Sequence, residues 1–229
     1  MQTEAGTVAA AAVAASEAVT ARRRNGKRLF DGAVAGVLLC LLLPLLVVVG
    51  LLVAATSRGG PIYRQARIGR GGRPFVMYKF RTMRAGCSDE VHRAYVRRLL
   101  TEPNPPVGGA RGLYKLEADA RVTAVGRVLR RTSLDELPQL WNVLTGDMSL
   151  VGPRPALPWE VEMISLWHRQ RFLVPPGLTG LWQVSGRSKL PMSAGLDLDV
   201  EYVRRQSFRL DLIILLKTLP AVLAAVGSS

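Results

Sequence analysis

Thr132-Ser133-Leu134-Asp135-Glu136-Leu137-Pro138-Gln139-Leu140-Trp141-Asn142-Val143-Leu144-Thr145-Gly146-Asp147-Met148-Ser149-Leu150-Val151-Gly152-Pro153-Arg154-Pro155 begins on two adjacent carboxylates and closes on an arginine braced by prolines. Ser133 fits a helix N-cap, and Glu136, three residues on, completes a capping box. Acids in a first helical turn favour the positive end of the macrodipole, and that alone explains the pair. Pro138 argues for more: in a helix starting at Leu134 it cannot donate to the Leu134 carbonyl, so it loosens the turn that a plain cap should tighten. The chemical reading uses the same geometry. Neighbouring helical side chains diverge by about 100°, so Asp135 and Glu136 suit a division of labour rather than a clamp on one atom. A carboxylate near a helix N-terminus stays ionised, the free N–H groups there attract phosphate oxygens, and an ionised carboxylate can attack phosphorus to give an acyl-phosphate.

Working outward, the net charge of +14 over 229 residues calls for an anionic partner: nucleic acid, anionic lipid or a phosphorylated substrate. Aromatic residues make up 6% of the chain, too few for a platform that stacks single-stranded bases. Cys40, Cys87, His92 and His168 have no ligand-like spacing, so neither a disulfide framework nor a zinc site is expected. Residues 1–26 read as a mobile or frayed tail that turns basic at Arg22, a solvated arm or a headgroup contact.

Ala33 to Ala55 carries no charge and is long enough to cross a bilayer as a helix. Pro44 lies in its middle, and basic residues flank both ends: Arg22 to Arg28 before, and Arg58, Arg64, Arg67 and Arg70 after. Positive-inside bias would keep both flanks in the cytoplasm, which a helix–break–helix satisfies by entering and leaving on one face. A full span and a cleaved signal peptide are the alternatives. Pro61 to Arg67 and Pro74 to Arg81 read as a hairpin turning at Gly69 to Gly72. Its Lys79-Phe80-Arg81-Thr82-Met83 run suits a basic site beside a membrane, or simply a solvated face. Helices are expected over Asp89 to Leu100, Val122 to Arg131, Trp159 to Leu173, Asp197 to Val203 and Phe208 to Leu219, the last stopped by Pro220 and lying in the interface. Pro103 to Gly112 and Gly177 to Arg187 read as loops.

Lys27-Arg28-Leu29-Phe30-Asp31, Arg67-Ile68-Gly69 through Lys79-Phe80-Arg81-Thr82-Met83, Thr132 to Leu140, Gly146-Asp147-Met148-Ser149 with Val151 to Pro155, and Pro176-Gly177-Leu178-Thr179-Gly180 occur in an order that resembles the bacterial sugar transferases. These are monotopic phosphoglycosyl transferases acting on polyprenyl phosphate. The resemblance implies an α+β monotopic membrane protein with a re-entrant helix-break-helix (27–57), a small β-hairpin, and a helical catalytic domain (58–229) with interfacial amphipathic helices on the cytoplasmic face of the bacterial inner membrane. It implies transfer of a sugar-1-phosphate from a UDP-sugar to undecaprenyl phosphate, with UMP released, Mg2+ required and a glycan begun.

By the same resemblance Asp135 is the nucleophile and Glu136 its acid–base partner, both being candidate metal ligands. Arg154, Arg130, Lys79, Arg81, Pro153, Pro155, Lys27, Arg28, Gln183, Asp199 and Asp211 are candidate substrate-binding residues. The expected partners are the two substrates, anionic lipids, downstream glycosyltransferases and a second copy in a homodimer, with no nucleic acid. Leu43 stands where the family often has serine before the membrane proline, and Pro175 where arginine often precedes Pro-Gly-Leu-Thr-Gly; that phosphate contact is either missing or made by Arg171 instead. The chain resembles the small, single-domain form. The competing functions are a membrane-anchored basic scaffold and a glycosyltransferase that releases UDP.

Overall fold

The uncharged leucine–valine run has a single breaking signal, Pro44, and in a computed structural model it is helical throughout. The structure describes residues 2–57, 59–84, 86, 90–101, 121–186 and 190–227; Arg58, Cys87 and the loop expected over Pro103 to Gly112 lie outside them. Helix α1 (Gln2–Thr56) continues through Pro44, where the sequence suggests a break. A proline removes one N–H and crowds one carbonyl, here that of Cys40, and the apolar turns on both sides keep the helix going. Asn25–Thr56 is long and apolar enough to cross a membrane.

One stripe of α1 docks on the rest of the chain. Ala35 is fully buried, and Val34, Leu38, Leu39 and Leu42 pack around a core of Met77, Leu140, Val143, Met148 and Leu150. Further along, Leu46, Val49 and Val53 pack with Phe80 and Leu129. The spacing of three and four residues is that of a single helical face. The opposite face is bare, with Val37, Leu41, Leu43, Val48 and Leu51 each more than half exposed.

Strands β1 (Ile62–Ile68) and β2 (Pro74–Phe80) form the expected antiparallel hairpin, in register from Ile62↔Phe80 to Ile68↔Pro74. Its tip uses Gly71 and Gly72 at φ of 68° and 74°, a left-handed conformation that costs glycine little. A two-stranded sheet leaves strand edges unpaired, and a side chain takes up part of one. Asn142, fully buried in helix α4 (Gln139–Thr145), accepts from the Tyr78 N–H at 3.1 Å and donates to the Val76 carbonyl at 2.7 Å. The amide thus acts as a short third strand and fixes the hairpin on α4.

After β2 the chain meets helix α2 (Glu90–Thr101) and then α3 (Ala124–Thr132). The Thr123 hydroxyl caps α3 by accepting from the Gly126 N–H. Gly126 itself touches the Thr82 backbone, and a Cβ there would sit 2.1 Å from the Thr82 carbonyl oxygen.

The second sheet is a parallel pair of three-residue strands, β3 (Ser149–Val151) and β4 (Gly177–Thr179), in register Ser149↔Gly177 and Val151↔Thr179. It is extended by Gly152 N–H to the Thr179 carbonyl and Gly177 N–H to the Pro153 carbonyl. Such an approach needs bare backbone: a Cβ on Gly152 would lie 2.5 Å from the Pro175 oxygen, and one on Gly180 would lie 2.2 Å from the Gly152 oxygen. The Gly-Pro-Arg-Pro and Pro-Gly-Leu-Thr-Gly motifs are therefore two halves of one backbone zipper.

Several expectations are corrected. Trp159 to Leu173 is split into α5 (Pro158–Met163) and a 3-10 helix (His168–Leu173), because Ile164 is extended. The loop from Gly177 contains β4 and a short helix α6 (Leu181–Val184), while Arg187 is outside the described residues. Helix α7 (Met192–Arg205) is longer than Asp197 to Val203. Helix α8 (Phe208–Gly227) runs through Pro220, whose missing N–H removes a single bond from an apolar helix.

Asn142→Ala leaves a buried N–H and a buried carbonyl unpaired, so folding stability should fall by about 2–4 kcal/mol; an unchanged thermal midpoint in detergent would contradict the clamp. Gly152→Ala should separate β3 from β4 and cost about 1–3 kcal/mol, read in the same melts, and wild-type stability would sink the zipper.

Candidate active site

Asp135 and Glu136 are not in a capped α-helical turn. Ser133 is left-handed (φ 58°, ψ 16°), the one non-glycine residue with positive φ among those described, and it ends α3 instead of capping a new helix. Its side chain makes no cap bond. Leu134–Glu136 is a single 3-10 turn, and α4 starts after Pro138. Proline is tolerated just ahead of a helix because its missing N–H would have no partner there.

In a 3-10 turn successive side chains diverge by about 120°, so the two acids still point apart. The backbone N–H of Glu136 is taken by the Ser133 carbonyl and that of Leu137 by Leu134. Phosphate attraction at this turn therefore falls to side-chain cations.

The hairpin register supplies them. Tyr63 faces Lys79 across the strands, and residues two and four along from Tyr63 share its face, so Lys79 and Arg67 project to the same side. Lys79 Nζ is 3.4 Å from Glu136 Oε1. Burial lowers the Lys79 pKa; Arg67 and Arg154 push the same way, against Glu136 and Asp135. These five charges thus act in one field.

Arg67 is 5% exposed and donates to the Pro155 carbonyl at 2.9 Å and to Gln65 at 2.7 Å. Burial first, then Arg154, lowers its pKa to about 10. In the sequence Arg67 is a flanking charge, a strand end and the start of a family-like run, but not a candidate site residue; the hairpin register was the signal that would have placed it here.

Arg154 is held by its backbone. Its carbonyl accepts from Arg171 Nη2 at 2.6 Å, and its charge acts on the buried Asp199. Arg171 in turn lies 2.6 Å from Asp199. Burial raises the Asp199 pKa to about 6 although Arg171 and Arg154 oppose it. Glu160 caps α5 by accepting from the Leu157 N–H and reaches within 4.0 Å of the Arg154 guanidinium. Pro153 and Pro155 flank this arginine, and their carbonyls accept from Gly177 and Arg67. Arg130 donates to the Thr82 hydroxyl at 2.8 Å at the end of α3.

Other candidates are placed elsewhere. Arg81 donates to the Gly60 carbonyl and lies over the Tyr63 ring. Gln183 is in α6, where its Oε1 is buried without a hydrogen-bond partner. Lys27 and Asp211 form a second cluster: Lys27 Nζ is 2.7 Å from Asp211 and 3.4 Å from Asp31, Asp31 is 2.6 Å from Ser149 Oγ, and Asp211 is 2.7 Å from the Tyr202 hydroxyl. Burial, then the Asp211 charge, pushes the Tyr202 hydroxyl well above its usual pKa. Arg28 donates to the Val143 and Leu144 carbonyls at the C-terminus of α4, a favourable place for a cation. These residues tie α1 to the domain.

No group of three or more His, Cys, Asp or Glu side chains gathers as a metal cage among the described residues. Asp135 and Glu136 are hard oxygen donors, and Mg2+ is commonly held by one or two carboxylates together with substrate phosphates.

Residues 22–225 match the family model described as bacterial sugar transferase. The chain is 42% identical over 207 residues to the exopolysaccharide production protein ExoY of Rhizobium meliloti, an alignment covering 88% of this chain and 87% of that one. It is 43% identical over 205 residues to the undecaprenyl-phosphate galactose phosphotransferase of Salmonella typhimurium, covering 88% of this chain but 41% of that longer protein. With the UDP-glucose:undecaprenyl-phosphate glucose-1-phosphate transferase of Caulobacter vibrioides it shares 38% identity over 205 residues, 86% of this chain and 69% of that one. The match takes in α1, the hairpin, the acidic turn and the glycine zipper alike, and the chain belongs to the bacterial sugar transferase family.

Proposed function

We propose that the chain transfers a sugar-1-phosphate from a UDP-sugar to undecaprenyl phosphate, through a covalent phosphosugar on Asp135. The observation that carries this reading is the turn of Asp135 and Glu136 set against Lys79, with Arg67 and Arg154 in the same field. The relatives named for undecaprenyl-phosphate transfer give the substrate class.

In the first step a carboxylate oxygen of Asp135 attacks the phosphorus next to the sugar. A phosphorus–oxygen bond forms, the bond to the bridging oxygen breaks, and that oxygen leaves with UMP. In the second step an oxygen of the lipid phosphate attacks the same phosphorus. The aspartyl carboxylate departs unchanged, leaving a polyprenyl-diphosphate sugar that glycosyltransferases then extend. Lys79, Arg67 and Arg154 offset the charge of the diphosphate where it is cleaved. Glu136, ion-paired to Lys79, steers the attack. Asp135 and Glu136 would hold Mg2+, which when bound neutralises phosphate charge.

The membrane seating follows from α1. The 23-residue stretch of helix from Asp31 to Val53 is about 33 Å long, yet Asp31 is bonded to Ser149 and Val53 packs near Phe80 and Leu129. A helix crossing the bilayer upright would put its ends on opposite sides, whereas one domain holds both. This supports a monotopic seating in which α1 lies along the membrane side of the domain instead of crossing the bilayer, with its bare apolar face in lipid and the catalytic domain on the cytoplasmic side of the inner membrane, where its basic charge meets anionic headgroups.

Asp135→Asn should lower turnover by on the order of 10³-fold or more with the thermal midpoint retained, read as UMP released from a panel of UDP-sugars with magnesium and undecaprenyl phosphate. UMP production at wild-type rate would refute the nucleophile, and UDP in place of UMP would point to simple glycosyl transfer. Arg154→Ala should lower kcat/KM for the donor by roughly 10²-fold, and a change under threefold would remove Arg154 from the phosphate site.

A further inference from the structure

Beside the acidic turn lies an open apolar groove of about 300 Å³. Helix α1 supplies one wall with Leu46, Val47 and Gly50, the open end of the hairpin supplies the other with Ile62 and Phe80, and Pro138 closes the inner end. Val47, at the outer rim, is 52% exposed, on the face of α1 that meets lipid. Pro138 is buried, and its Cα is within about 7 Å of that of Glu136, because consecutive Cα atoms are 3.8 Å apart. Phe80 and its cross-strand partner Ile62 face away from Lys79, on the side of the hairpin turned to α1. The groove therefore leads from the bilayer side of the molecule to the acidic turn at Pro138.

Gly50 keeps it open. Glycine inside a helix costs up to about 1 kcal/mol relative to alanine, so it calls for a reason. Close packing is not the reason: a Cβ at Gly50 would meet its nearest neighbour, Phe80 Cε1, at an ordinary 3.8 Å. The missing side chain instead leaves the floor of the groove empty.

We propose that this groove takes the phosphate-proximal isoprenoid units of the lipid acceptor, aligning its phosphate with the sugar phosphate on Asp135. The proposal rests on the phosphoglycosyl-transfer reading above. No polar side chain lines the groove, so a nucleotide or sugar would lose its water there without replacement hydrogen bonds. An isoprenoid loses nothing, and its anionic head would lie at the Pro138 end of the groove, next to the acidic turn. At about 300 Å³ the groove stands at the small end of ligand pockets, which suits a few isoprenoid units rather than a whole lipid.

The test separates the two half-reactions. Wild type, Gly50→Leu and Val47→Phe, purified in detergent with magnesium, are mixed with the UDP-sugar donor without acceptor, and the UMP burst is read; KM for undecaprenyl phosphate is then measured in turnover. Filling the groove should raise the acceptor KM tenfold or more while the burst amplitude remains, because the first step does not involve lipid. An acceptor KM within twofold of wild type at full burst, in either variant, overturns the assignment and leaves the groove to ordinary acyl chains. If Gly50→Leu loses its burst through misfolding, Val47→Phe decides. A wild type that turns over without any burst would overturn the covalent step instead, and the acceptor KM values would still judge the groove.

Discussion

The Asn142 carboxamide is the contact on which the site depends. A two-stranded hairpin standing alone is marginal in water, and this one has to present two cations to a turn some sixty residues away in the chain. One side chain satisfies the N–H of Tyr78 and the carbonyl of Val76 together and thereby fixes the register of hairpin against helix. Because α4 also continues from the acidic turn through Pro138, the same helix that holds the strand holds the carboxylates. The Lys79 to Glu136 distance is set by this rigid path as well as by the attraction of the two half-buried charges.

Electrostatically the site is a case of mutual constraint. Arg67, Lys79 and Arg154 repel one another, and burial weakens the hold of Arg67 and Lys79 on their protons. Such a grouping persists because the two arginines are fastened by something besides opposite charge: Arg67 by the Pro155 carbonyl and Gln65, Arg154 by its own carbonyl, which accepts from Arg171. A dianionic diphosphate is the kind of ligand that relieves this repulsion. The +14 net charge is thus partly invested in a single focus.

Local patterns in the sequence were enough for the hairpin, its glycine tip, the apolar helix and the proline-braced arginine, since each depends on neighbours within a few residues. What was not legible depends on distant partners. Ser133 was read as an N-cap because its type and spacing suit one, but the tight junction of α3 with the acidic turn forces it left-handed. Three-residue strands such as β3 and β4 carry no periodicity, and only their glycines hint at the close approach. Prolines 44 and 220 mislead for the opposite reason: a local breaking signal is overridden where long apolar turns surround it. Lys27 and Arg28 match a motif of the family, yet here they serve as fasteners whose partners lie more than a hundred residues away.

That fastening has a consequence for how the protein is made. Lys27 pairs with Asp211 across 184 residues, and Ala35 completes a core whose other members include Val151, Tyr202 and Ile214. Helix α1 leaves the ribosome well before Asp211, which follows roughly 10–40 s later at ordinary rates of synthesis. During that interval the docking stripe of α1, including Asp31, lacks the partners that the later chain supplies. Final assembly of the domain therefore waits until the segment around Asp211 has been made and closes on a helix that is already in place.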